Sequence, residues 1–246
     1  MDIFGWLTDP ANWSGPGSIP FQAGMHLLYS LIALLVAAVI AVPLGMFIGH
    51  TGKGESLIMG SVNAMRALPT LGLLILLVLM IAPVFGSNLA FVIPSLIVLV
   101  LLAIPPILSG VASGIRAIDR SVIDAARGMG FSTAQIVWKI EMPCAFPLTL
   151  SGVRGATLQI VSTATVAAYV SLDGLGRFII DGRAANDYAE MAGGALVLAV
   201  LAVLLELGFA GLGKLIVSPG LTRRIRVKPS AQIEETETKI MSVARA

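Results

Sequence analysis

Apolar residues run almost without interruption over about 23–49, 57–83, 89–114, 147–170 and 191–217, separated by short polar stretches. Each run exceeds the roughly 20 residues that a helix needs to cross the hydrocarbon core of a bilayer. Inside lipid every backbone N–H and C=O must pair within its own segment, so each run predicts a helix. The pattern predicts an all-α membrane protein, a bundle of about five transmembrane helices filling residues 23–217. Residues 1–22 are acidic and rich in turn formers, without the basic start and apolar stretch of a cleavable signal. They predict an extracytoplasmic lead-in, with Trp6, Trp13 and Phe21 as anchors at the membrane surface. Residues 218–246 predict a flexible, charged cytoplasmic tail.

Within the first run Ala33, Ala37, Ala41, Gly45 and Gly49 recur every fourth position. At helical spacing they form one stripe, and small stripes let membrane helices approach closely. Gly110 and Gly114 form a similar pair near the end of the third run. Proline predicts a kink at Pro43, a break at Pro69, and another at Pro105 and Pro106. Residues 171–190 read as a polar loop.

Orientation follows from basic residues, which concentrate on the cytoplasmic side. Lys53, Arg116, Arg120, Arg127, Lys139, Arg223, Arg224, Arg226 and Lys228 fall in one set of connections. Arg177 and Arg183 fall in the other, diluted by Asp173, Asp181, Asp187 and Glu190. The first set belongs inside, giving an external N-terminus and an internal C-terminus. Only 12% of the 246 residues are charged, about half the usual share of a soluble domain. Cys144 is the only cysteine, so no internal disulfide is possible. His26 and His50 stand isolated, and no metal-ligand cluster, paired carboxylates or nucleophile arrangement appears. The basic tail is suited to anionic lipid and forms no nucleic-acid patch. GHTGKGES fails as a phosphate loop, because Gly54 follows Lys53 where Ser or Thr is needed and Phe47 replaces the first glycine. No nucleotide site is expected in this chain.

The polar stretch 118–146 contains IDRSVIDAARGMGFSTAQIVWKIEMP. Ser121 to Met129 can make about two helical turns, and Gly130 can end them in the left-handed conformation. Ser132 or Thr133 can cap a second short helix through Trp138, and Pro143 bars its continuation. Asp124, Ala125, Ala126, Gly130, Ile140 and Pro143 stand in the register of the EAA loop, and the stretch resembles that loop of ABC importer permeases. Asp124 takes the place of the usual Glu, and Met142 that of the usual Leu. The resemblance implies that 118–146 is a cytosolic coupling loop whose helix lies in a groove on a separate ATPase subunit.

Three ionisable residues lie inside the runs. Counting 1.5 Å per residue from the cytoplasmic ends puts Arg66 at about 13 Å, Arg154 at about 10 Å and Glu206 at about 15 Å. A charge at such depth must face protein or water. Arg154 and Glu206 are expected to pair, as a structural tie or a gate latch. Gln159, Ser162 and Thr165 share one side of the fourth run, either lining a polar translocation path or bonding to other helices. Asn63 and Arg66, beside the break at Pro69, join them as path candidates.

NAMRALPTLGLL, PPILSGVASGIRAID, LSGVRGATLQIVSTATVAAYV and SLDGLGRFIIDGRAANDY resemble permease subunits of osmoprotectant ABC importers of the glycine betaine, carnitine, choline and proline betaine type. The resemblance implies a MetI-like permease bundle in a bacterial inner membrane, without enzymatic activity or a directly bound cofactor. It implies ATPase subunits that hold ATP and Mg, a second permease that is identical or paralogous, and an extracytoplasmic solute-binding protein. The quaternary ammonium would be held by an aromatic cage in that binding protein. A permease for methionine or another small nutrient is the alternative within transport, and a stand-alone channel or secondary transporter the alternative outside it.

Overall fold

A computed structural model describes residues 2–54, 56, 60, 64 and 69–216. Among the described residues the regular structure is entirely helical. A short helix α1, Ile3–Thr8, and a 3₁₀ turn, Pro10–Trp13, precede the first long helix α2, Ile19–Thr51. Ser18 caps α2 through the backbone N–H of Phe21, with proline in its first turn, and Gly52 ends it at φ +67°. Helix α3, Thr70–Ile81, starts afresh after the extended Pro69. The third long helix is α4, Leu89–Arg116, followed by α5, Arg120–Gly128, and α6, Thr133–Ile136. A π-helical turn, Val137–Glu141, leads without interruption into α7, Met142–Ala164, which tightens into a 3₁₀ turn, Thr165–Val170. Helices α8, Gly176–Ala185, and α9, Tyr188–Ile216, complete the described chain.

Helix α4 is the centre, with α2 packed along one side and α7 along the other. Lipid tails are as apolar as leucine, so burial of apolar surface does not by itself drive membrane helices together; close van der Waals packing does. The sequence supplies it with missing side chains. Ala33, Ala37 and Ala41 are fully buried, and Gly45 continues their line against Val111. A Cβ on Gly45 would come within 2.8 Å of the Val111 Cβ, and one on Gly49 within 2.8 Å of the Ile115 Cβ. The α4–α7 contact is closer still. A Cβ on Gly110 would meet the Leu148 carbonyl oxygen at 2.6 Å, and one on Gly152 the Pro106 carbonyl oxygen at 2.5 Å. One turn on, Gly114 stands against Ala145 in the same way.

Helix α9 is peripheral. Its start is held where Gly193 and Gly194 admit Trp6 and Phe178, whose rings meet edge to face at 5.3 Å. The α2 end nearest α8 carries buried polar residues. His26 Nε2 lies 2.9 Å from the Val161 carbonyl oxygen, and the Gln22 side chain bonds Asp173 and accepts from the Gly174 N–H.

Several expectations change. Pro105 and Pro106 do not break α4, which continues through both, because packed neighbouring helices stabilise a proline-containing span. Pro143 does not stop the chain either; it lies in the first turn of α7, where the preceding π turn has already altered the bonding register. The fourth long helix therefore starts at Met142, not near Pro147. The stretch 171–190 contains α8, whose Phe178 is buried. The N-terminal segment is docked through Trp6, and His26 and His50 both have partners.

Among the described residues, Ile19–Thr51, Leu89–Arg116 and Tyr188–Ile216 are long and apolar enough to cross a membrane. Helix α3 is apolar but short. Helix α7 has 23 residues, about 34 Å at 1.5 Å each, yet it carries Ser151, Arg154, Thr157, Gln159 and Ser162. Gly152→Ala should drive a methyl into the Pro106 carbonyl and lower the melting temperature of the purified protein by about 5 °C. Gly208→Ala, whose Cβ would meet nothing within 4 Å, should change it by less than about 1 °C. Thermal unfolding of the two variants side by side checks both.

Candidate coupling site and translocation face

The segment between α4 and α7 is built from local rules. Asp119 caps α5 by accepting from the Ser121 backbone N–H at 2.9 Å, and bonds from Ser121 hold its carboxyl below the usual carboxylate range. After Gly128 the chain closes on itself, with the Phe131 N–H donating to the Ala126 carbonyl and the Gly130 N–H to the Arg127 carbonyl. Gly130 sits at φ +83°, a left-handed conformation natural to glycine. Ser132 then caps α6 in a reciprocal box with Gln135. Two short helices thus meet at a glycine elbow.

Ala126 is fully buried and anchors α5. Asp124, Ala125, Gly130 and Pro143 are exposed, while Ile140 is half-buried. The Asp124 carboxylate is 71% exposed, with only a loose 3.6 Å approach from Arg127. Val122, Met129 and Trp138 stand 45%, 70% and 65% exposed. Large apolar groups uncovered beside charges mark a surface suited to a protein partner.

Behind this segment lies an open cleft of about 570 Å³, lined among others by His50, Arg116, Arg120, Asp124, Arg127 and Glu141. Both Glu141 carboxylate oxygens lie 2.9 Å from His50 Nδ1. The Glu141 side chain is only 5% exposed. This contact joins the end of α2 to the π turn across 91 residues of sequence. Helical spacing gives no signal for it; the one available hint is a histidine in the last turn of the first span facing an otherwise unexplained acid before Pro143.

On α7, Ser151, Gly155 and Ser162 are exposed and Gln159 is half-buried. Steps of four, four and three residues place them on one side of the helix. The Thr165 hydroxyl turns back to the Ser162 carbonyl at 2.7 Å, and that of Thr157 to the Val153 carbonyl at 2.9 Å. Arg154 flanks this side. Its Nε donates to Glu206 of α9 at 2.8 Å, and a second guanidinium nitrogen closes on the other carboxylate oxygen. The two side chains remain 43% and 35% exposed. Asn63 and Arg66 lie outside the described residues. Thr70, on the other side of Pro69, lines a small enclosure with Ser95 and Thr163.

The family described as "binding-protein-dependent transport system inner membrane component" matches residues 41–218. Curated relatives include the choline transport system permease protein OpuBB of Bacillus subtilis, 28% identical over 207 residues, covering 84% of this chain and 92% of the relative. The carnitine transport permease protein OpuCD of Listeria monocytogenes is 32% identical over 182 residues, covering 74% and 78%. The glycine betaine/proline betaine transport system permease protein ProW of Escherichia coli is 28% identical over 185 residues, covering 75% of this chain and 50% of that protein. Among solved structures, a chain of the inward-facing MetNI methionine ABC transporter superposes with a TM-score of 0.72 at 20% identity, covering 86% of this chain and 100% of that one. That likeness shows the MetI-like fold. With most of its length matched, this chain belongs to the family of inner membrane components of binding-protein-dependent transport systems.

Proposed function

We propose that this chain is the permease subunit of an ATP-driven importer for quaternary-ammonium osmoprotectants, namely glycine betaine, carnitine, choline or proline betaine. It forms the translocation path and has no nucleotide site of its own. Separate ATPase subunits bind ATP and Mg. A second permease, identical or paralogous, completes the core, and an extracytoplasmic binding protein delivers the solute. The observation that carries the reading is the exposed pair of short helices at the Gly130 elbow, continuous with α7. It offers a partner Asp124, Met129 and Trp138 at the end of a helix that bears the polar face. Motion imposed at the elbow passes directly into that helix.

The substrate class rests on the relatives, whose names specify choline, carnitine and betaines. The likeness to a methionine transporter is one of fold at 20% identity, so methionine is the weaker reading. A stand-alone channel would leave the exposed elbow without a role. On α7 the line Ser151, Gly155, Gln159 and Ser162 is exposed except at the half-buried Gln159, and its polar side chains in a bilayer must meet protein or water. It supports a path along α7, with Arg154 and Glu206 tying α9 beside it.

In vesicles holding the purified complex, labelled glycine betaine, carnitine or choline should accumulate on ATP addition, and methionine should not. Gly130→Pro cannot take φ +83° and loses the N–H that bonds Arg127. It should abolish solute-stimulated ATP hydrolysis while the chain stays in the membrane, as ATPase assays and membrane fractionation will show. Arg154→Glu and Glu206→Arg should each lower uptake about tenfold, and the double exchange should restore most of it. An unrescued double exchange rejects the pair as the cause.

A further inference from the structure

The contact between His50 and Glu141 has no place in the coupling residues named above, and its setting is unusual. Glu141 is the last residue of the π turn, Val137–Glu141, and is buried apart from a small edge. A π turn contains an extra residue, which rotates every later side chain relative to an α-helix, and such turns often occur at functional positions. Here the turn brings the Glu141 carboxylate onto His50 Nδ1, with both oxygens at 2.9 Å. With the carboxylate ionised it only accepts, and Nδ1–H donates to it. His50 lies in the last turn of α2, just before Gly52 ends that helix. Arg116, Arg120, Asp124 and Arg127 line the same cleft, and Arg127 approaches Asp124.

We infer that His50 and Glu141 form the clasp by which the coupling segment drives α2. They are positioning residues that act through the two helices they join. Helix α2 meets α4 along its small-residue stripe and touches α7 as well. Along the stripe those contacts are apolar and non-directional, and at the far end of α2 the contact with α7 includes His26 on the Val161 carbonyl. The His50–Glu141 bond is directional, lies at the cytoplasmic end and is attached to the segment next to the elbow. A displacement of residues 133–141 therefore pulls the end of α2 with it. Because α2 carries Gln22 and His26 at its far end, bonded to Asp173, Gly174 and the Val161 carbonyl, the pull reaches the opposite face. The inference rests on the coupling role proposed for the 118–146 segment.

The test uses the complete transporter in vesicles and reads solute imported per ATP hydrolysed. Glu141→Leu and His50→Leu should each lower that ratio about tenfold, since a buried bond to a charged group is lost. Glu141→Gln, which keeps an acceptor opposite Nδ1, should stay within about threefold of the unaltered protein. The decisive arm is a gain of function. With Cys144→Ala as background, His50→Cys and Glu141→Cys together should be uncoupled when reduced and should regain coupling when joined by a short bifunctional thiol reagent. An unchanged ratio in both leucine variants overturns the clasp, as does a bridged protein that hydrolyses ATP without importing solute. Should Glu141→Leu fail to assemble, the bridged cysteine pair decides alone. Failure of the unaltered chain to co-purify with any ATPase would instead reject the coupling reading on which the clasp depends.

Discussion

Close approach of backbones at α4 is the constraint on which the rest of this structure depends. Inside lipid, two helices gain little by hiding apolar side chains from surroundings that are equally apolar. They gain by bringing many atoms to van der Waals distance, and large side chains prevent that. Gly110 against Gly152, Gly114 against Ala145, and the Ala33 to Gly45 line of α2 remove the obstruction. Once α2, α4 and α7 are joined in this way, the placement of polar groups follows. Thr157 can turn inward because its hydroxyl bonds its own helix. Ser162 remains exposed and Gln159 half-buried. By contrast α9 lies at the periphery, held at its start by α8 and α1 and tied to α7 by Glu206 on Arg154.

Features that depend on neighbours within one helix were legible in the sequence. The alanine line was visible as a four-residue spacing, and the elbow as a glycine between a capped pair. Residue counting also placed Arg154 and Glu206 at similar depth, and the structure joins them. What could not be read depends on surroundings. Proline removes a donor, but whether it breaks a helix depends on what stands next to the freed carbonyl. Pro105, Pro106 and Pro143 are therefore all misleading in isolation. Helix α8 was hidden because Gly176 and Gly182 read as loop residues, although each fits where other backbone leaves no room for a Cβ. His50 with Glu141, and Gln22 with Asp173 at 151 residues of separation, obey no period at all.

The two ends of the bundle differ in kind. At the end bearing α1 and α8, contact is made by an aromatic pair and by buried amide and imidazole groups around Gly174. At the other end the segment after α4 buries little beyond Ala126, Ile136 and Glu141, and presents charged and apolar groups outward. One end is closed by its own contacts; the other leaves charged and apolar groups uncovered.

The uninterrupted run from Thr133 through the π turn to Ala164 has a consequence of scale. Its 32 residues amount to a rod of about 48 Å, longer than the hydrocarbon layer is thick. A rod pivoting where Gly152 lies against Pro106 converts a tilt of about 10° into a shift of about 5 Å at the Thr133 tip and about 3 Å at the Ala164 tip, in opposite directions. A displacement the width of one or two atoms at one end thus becomes an opposite one at the other, to the extent that the π turn and Pro147 leave the rod unbent.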